Sequence, residues 1–171
     1  ILTLCNNTDG SITAVRQISS NEVVLVSVTT SGNTRSQMPP MAHRYELPAT
    51  IKPEALTRYP GVQSGASQLL LSADNGNNSF APVVLDLQSS KVHVGEQIQA
   101  TALMPFWTIT DKKDNGTTKY VRTGGYVIVK TDGQTELRLW DQTTLTLKEP
   151  FATFSNPARS ITMLAEDTET L

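Results

Sequence analysis

Residues 125–140 read Gly125-Tyr-Val-Ile-Val-Lys-Thr-Asp-Gly-Gln-Thr-Glu-Leu-Arg-Leu-Trp140. Two β-rich runs flank Asp132-Gly133, and Asp-Gly between alternating apolar residues is a strong two-residue hairpin signal. A type I′ turn there sets Thr131 opposite Gln134, Lys130 opposite Thr135, Ile128 opposite Leu137 and Tyr126 opposite Leu139. One face then carries Tyr126, Ile128, Leu137 and Leu139. The other carries Val127, Val129, Glu136 and Arg138. A slip of one residue scatters both sets. This hairpin makes an antiparallel β-domain the expected fold: a soluble β-sandwich or β-barrel with little helix.

Working outward, turn signals recur throughout the chain at the spacing of short strands. Strands are expected at Ile1 to Leu4, Ser11 to Ile18 and Glu22 to Thr30. Further strands fit Gln68 to Ala73, Phe80 to Leu87, Lys91 to Val94 and Gln97 to Met104. The run ends with Thr108 to Thr110, Lys119 to Arg122, Leu145 to Lys148 and Ser160 to Ala165. Glu22 to Thr30 is the most β-branched run and belongs inside a sheet. Pro82 demotes the start of its strand to an edge, and Pro105-Phe106-Trp107 interrupts another. Residues 31–67 hold Pro39, Pro40, Pro48, Pro53 and Pro60 and read as one long connection. A short strand at Arg44 to Leu47 and a helical turn at Pro53 to Arg58 fit within it. Its Met38, Met41, Tyr45, Ile51, Leu56 and Tyr59 predict packing onto the domain. Residues 1–165 form one domain in this reading, and 166–171 an acidic tail.

The chain has 171 residues, enough for one well-cored domain. Hydrophobic residues make up 38% and charged residues 18%, both on the low side, so hydroxyls and amides build the surface. Net charge is −2, and no basic run offers a groove to nucleic acid or a patch to an anionic membrane. No apolar stretch has the length of a membrane-spanning helix. The chain begins at Ile1 without Met and reads as a piece of a longer polypeptide. Cys5 is the single cysteine, which excludes an internal disulfide.

Catalytic signals are sparse. His43 and His93 are the only histidines, and no zinc-ligand spacing surrounds them. Ser64, in Gly61-Val-Gln-Ser-Gly65, lies one residue out of step with a nucleophile elbow. A Ser–His–Asp hydrolase on a β-scaffold would need its members to meet in space. Asp111, Asp114 and Asn115, like Asp74, Asn75 and Asn77, could offer oxygens to calcium. The twelfth position of an EF-hand loop starting at Asp111 is Arg122, so polar hairpin tips are expected. No metal or cofactor is expected. Asn6, Asn77 and Asn115 begin Asn-x-Ser/Thr sequons in turns, open to glycosylation in a secretory pathway. Tyr45, Tyr59, Phe106 and Trp107 sit in breaks of the strand pattern. Such rigid aromatics stack on sugars or fill partner pockets, and they are the candidate binding residues.

Two resemblances bear on function. Lys91-Val-His-Val-Gly-Glu-Gln-Ile-Gln-Ala-Thr-Ala102 resembles a strand–turn–strand of immunoglobulin-like sandwiches, without the Cys pair and Trp of antibody-type domains. In overall style, the Thr/Asn/Gln-rich β-domain with long Pro-rich loops is similar to protruding domains of small non-enveloped virus capsid proteins. That likeness implies a non-enzymatic recognition and assembly role on a virion surface or outside the cell. It also implies a host receptor or glycan as partner and a homodimer or homotrimer. Residues 31–67 and 111–118 would then form the exposed apex. The alternatives are a bacterial or phage adhesin, a carbohydrate-binding module, or the hydrolase.

Overall fold

The computed structural model describes residues 3–6, 12–28, 41–56 and 68–159. The described chain is all-β and antiparallel, as the sequence predicts, and its strands are divided among three sheets. The first runs β1 (Thr3–Asn6), β2 (Ile12–Gln17), β3 (Glu22–Val28), β4 (Met41–Glu46) in spatial order. The second is built on β5 (Gln68–Asp74) and β6 (Ser79–Asp86), with β7 (Val92–Val94) and β8 (Ile98–Gln99) both paired to β6. The third comprises β9 (Ala102–Asp114), β10 (Thr117–Val129) and β11 (Thr135–Asp141), with β12 (Thr146–Leu147) and β13 (Ala152–Phe154) both paired to β11. Among the described residues no helix is long and apolar enough to cross a membrane.

The sheets stack face to face. Leu69, Leu70 and Leu71 of β5 are all fully buried, as are Val83, Val84 and Leu85 of β6. Side chains alternate across a strand, so unbroken burial means that both faces of the second sheet are covered. Leu69, Leu71, Val83 and Leu85 pack with Val15, Val23, Leu25 and Tyr45 of the first sheet. Leu70 and Val84 pack with Leu103, Trp107, Tyr126, Ile128 and Trp140 of the third. Each such side chain contributes about 1.5–3 kcal/mol by burial.

Hydroxyl groups tie neighbouring layers together. Tyr45 Oη donates to the Asp86 carbonyl at 3.1 Å. Ser72 Oγ donates to the Leu103 carbonyl at 2.7 Å, and Tyr126 Oη to the Leu71 carbonyl at 2.7 Å. Burial pushes the Tyr126 hydroxyl well above its usual range, and burial with the Asp86 charge pushes Tyr45 up to about 12. Both hydroxyls are therefore neutral donors at physiological pH.

The organising hairpin exists, but its register is one residue off the expected one. Val129 pairs Thr135, Ile128 pairs Glu136 and Tyr126 pairs Arg138. Lys130 N–H donates to Gln134 O at 2.7 Å, leaving a three-residue loop, Thr131-Asp132-Gly133, in which only Gly133 takes positive φ (+87°). A three-residue loop ending in a left-handed glycine is the next commonest hairpin connection after the two-residue turns. One face of the hairpin is therefore Tyr126, Ile128, Glu136, Arg138 and Trp140, and the other is Val127, Val129, Leu137 and Leu139. The two-residue turn with both central residues at positive φ occurs instead at Asn115 (φ 47°) and Gly116 (φ 80°), between Asp114 and Thr117 of the β9–β10 hairpin.

Three other expectations are corrected. β6 is central rather than an edge, since it pairs β5 on one side and β7 and β8 on the other. Gly95 N–H donates to the Pro82 carbonyl at 2.9 Å, so the polar backbone edge of Pro82 faces the gap between β7 and β8. The missing proline donor thus falls where no strand needs it. β7 and β8 pair with β6 and not with each other, so the immunoglobulin-like hairpin at 91–102 does not form. β9 runs unbroken through Pro105-Phe106-Trp107, with Pro105 opposite Tyr126. Among the described residues β9 pairs only with β10, and an edge strand tolerates proline.

Part of the Pro-rich connection packs as expected: Tyr45, Ile51 and Leu56 are buried in the core between the first two sheets, and Leu47 joins them. The helical turn shortens to a 3-10 turn at Pro53–Ala55. Met38, Tyr59, Ser64, the strand expected at 160–165 and the acidic tail lie outside the described residues.

Candidate interaction surface

The register of the third sheet sorts its side chains chemically. The side facing the second sheet carries Glu136 and Arg138 alongside Tyr126, Ile128 and Trp140. Glu136 is buried at 6% exposure and is ion-paired with Lys130. Its Oε2 accepts from Arg138 Nε at 2.9 Å and Nη2 at 2.7 Å. Burial pushes the Glu136 carboxyl up, but the hydrogen bonds and charges of the two cations more than offset this and hold it below the usual carboxylate range. One carboxylate is held between two partly exposed cations, and the trio reads as a structural clamp at the rim of the interlayer core.

A depressed carboxylate stabilises the fold fully above its unfolded value, about 4.3, and the gain is lost as pH falls through the folded value. Glu136→Gln is expected to cost about 1–3 kcal/mol at neutral pH, since both cations keep partial access to water. Thermal melts should show the wild-type advantage shrinking as pH falls below about 4. A pH-independent gap would remove the carboxylate from this role.

The opposite side of the third sheet is apolar. Met104, Phe106, Val127 and Val129 form a buried cluster, with Ala102, Leu137, Leu139 and Ala158 packed against it. The chain after β13 crosses this side: Thr135 Oγ1 donates to the Asn156 carbonyl at 2.8 Å and accepts from Ala158 N–H at 2.8 Å. At its rim stand Phe151 and Phe154, 56% and 53% exposed. Phe151 meets Phe106 edge-on, with ring centroids 6.4 Å apart. Phe154 pairs across from Thr135, which puts it on the same side. Four large hydrophobic residues are exposed among the described ones, and two of them are here. Single exposed apolar residues are ordinary; two exposed aromatics on the side of the sheet that holds an apolar cluster make that side the candidate interaction surface.

The four aromatics expected to bind are placed differently. Tyr45, Phe106 and Trp107 are buried at 0%, 6% and 4% exposure, and Tyr59 lies outside the described residues. Phe106 alone touches the candidate surface, as the floor beneath Phe151. Sequence reasoning missed Phe151 and Phe154, although both follow the Pro150 break and were visible as aromatics in a polar stretch. Of the sequon residues, Asn77 and Asn115 are exposed at positive-φ turn positions (53° and 47°), and Asn6 ends β1. His43 pairs with Leu25 of the first sheet, while His93 pairs with Val84 of the second. Leu25 lies in the core between the first and second sheets and Val84 in the core between the second and third, so the two histidines do not converge. Asp74 Oδ1 caps its own turn by accepting from Gly76 N–H at 2.8 Å. No cluster of three or more metal-ligating side chains occurs among the described residues.

Consecutive antiparallel meanders of about four strands, stacked face to face, are the blade architecture of radially repeated β-proteins. The chain belongs to the DUF4784 WD40-like domain family, whose model matches residues 1–170. No curated protein and no solved structure gives a significant match. The family match carries nothing that points to a capsid protruding domain.

Proposed function

We propose that this chain is a non-enzymatic recognition and assembly domain, a stack of blade-like sheets that engages protein partners through the outer side of its third sheet. The observation that carries the proposal is the pair of exposed phenylalanines, Phe151 and Phe154, on the side of the third sheet that holds the Met104–Phe106–Val127–Val129 cluster, with Phe151 edge-on to Phe106. Aromatic anchors of this kind dominate the energetics of protein interfaces. The virion setting, with a host receptor or glycan as partner, rests on composition and style, so the proposal stops at the class of protein.

The test is the fluorescence of an apolar dye such as anilinonaphthalene sulfonate on the folded, dilute chain. Saturable enhancement is expected, and Phe151→Ser with Phe154→Ser should remove most of it without changing the far-ultraviolet circular dichroism. Dye binding that survives the double substitution would relocate the surface. Reproducible ester or peptide turnover abolished by His93→Ala would replace the proposal with a hydrolase.

A further inference from the structure

The triplet Asp-Asn-Gly occurs twice, as Asp74-Asn75-Gly76 and Asp114-Asn115-Gly116, and both copies open turns between paired strands. Asparagine before glycine is chemically labile. The glycine nitrogen attacks the side-chain amide carbon, ammonia leaves, and water opens the resulting succinimide. Glycine favours the step because it puts no Cβ beside the attacking nitrogen. Crowding does not separate the two copies, since a Cβ at Gly76 or Gly116 would meet nothing within 4 Å. By sequence they are equal sites, and the fold makes them unequal.

Gly76 N–H donates to Asp74 Oδ1 at 2.8 Å. The same turn is closed by Asn75 N–H on the Ser79 carbonyl at 2.9 Å and by Ser79 N–H on the Gly76 carbonyl at 3.0 Å. The attacking form of the glycine nitrogen has lost its proton, and a carboxylate bonded to that proton favours keeping it. Asn115 and Gly116 instead make the two-residue turn between Asp114 and Thr117, both at positive φ. Such a turn leaves the N–H of its second residue outside the ladder. Among the described residues nothing accepts from Gly116 N–H. Residues 115–118 are exposed. β11 pairs with β10 only over Gly125–Val129, so this tip lies at the end of its hairpin and not on a face through which layers pack.

We propose that Asn115 is a site of spontaneous covalent modification, converting through a succinimide to isoaspartate and aspartate, and that Asp74 protects Asn75 from the same fate. In the first step the bond from Gly116 N to Asn115 Cγ forms as the bond from Cγ to Nδ2 breaks. The Gly116 proton leaves with Nδ2 as ammonia. Water then adds to one of the two ring carbonyls and opens the ring. Isoaspartate routes the main chain through the side chain, which adds one backbone carbon to a turn whose geometry depends on its having two residues. Both products add a negative charge at the tip. The amide consumed is the one that the Asn115-Gly-Thr117 sequon would offer a glycan, so either modification excludes the other.

Mass-spectrometric peptide mapping of the full chain, aged at neutral pH, tests this. In the folded protein Asn115 should convert about tenfold faster than Asn75, the factor that a hydrogen bond to a charged group commands. Isoaspartate should be among its products. In urea only the shared triplet remains, and the two rates should become equal. Asp74→Ala should raise the folded rate at Asn75 about tenfold and leave Asn115 unchanged. If that variant does not fold, the folded and urea-unfolded wild type supply the same reading between them. Equal rates in the folded chain, faster conversion at Asn75, or an Asn115 that converts only in urea overturns the inference.

Discussion

Trp140→Ala is expected to lower stability by about 3–5 kcal/mol, the range for emptying a buried tryptophan site. In a chain of this length that is roughly a 10 °C fall in melting temperature. Trp140 is 2% exposed in the core between the second and third sheets, and it meets Tyr126 edge-on at 6.4 Å and 71°. Truncation loses the burial, the ring contact and the packing that aims Tyr126 Oη at the Leu71 carbonyl. Trp140→Phe should cost much less, about 1–2 kcal/mol. Phenylalanine keeps the ring contact, and the indole Nε1 has no acceptor among the described residues to lose. Denaturant unfolding of both variants checks the ordering. If alanine is no worse than phenylalanine, Trp140 is not the wedge between those two layers.

How far the sequence alone could have led is clearest at the strands themselves. Glu22 to Thr30, Gln68 to Ala73 and Phe80 to Leu87 carry enough β-branched and apolar residues to declare themselves, and each forms a strand within a residue or two of its expected ends. The three-layer stack was also written in Leu69-Leu70-Leu71 and Val83-Val84-Leu85, because a strand with water on one side alternates and these do not. β7, β8, β12 and β13 have two or three residues apiece, too few to show a period of two.

The register error has a physical source. Asp-Gly fits either a two-residue loop with both residues at positive φ or the end of a three-residue loop with one. The choice here is made by the layers. The observed register buries Trp140 with Tyr126 and Ile128 and clamps Glu136 between two cations, which local turn chemistry cannot foresee. The same tertiary context buries three of the expected binding aromatics, Tyr45 and Trp107 between layers and Phe106 in the cluster on the other side of the third sheet. Phe106 and Trp107 follow a proline that an edge strand absorbs, so they alternate to opposite sides of β9 rather than standing in a loop. The surface that remained, Phe151 and Phe154, lay after Pro150, where no strand was expected.

Gly125→Ala is expected to cost about 3 kcal/mol, at the upper end for overpacking. A Cβ at Gly125 would lie 2.5 Å from the Arg138 carbonyl oxygen, and 2.7 Å and 3.0 Å from two carbons of the Phe106 ring. The carbonyl belongs to β11, paired to the same stretch of β10, so relief requires the strands to part. Gly124 provides the comparison. A Cβ there would meet Leu70 Cδ2 at 2.7 Å, Leu70 Cδ1 at 3.1 Å and the Trp107 ring at 3.2 Å. These are side-chain atoms, and the Leu70 methyl groups can move by rotation. Gly124→Ala should therefore cost about 1 kcal/mol, a third as much. Adding Phe106→Ala to Gly125→Ala should not restore stability, because it removes the ring and leaves the carbonyl in place. Denaturation midpoints of the four proteins decide the matter. Equal losses at the two glycines, or rescue by Phe106→Ala, would show that the ring rather than the Arg138 carbonyl sets the limit on this hairpin.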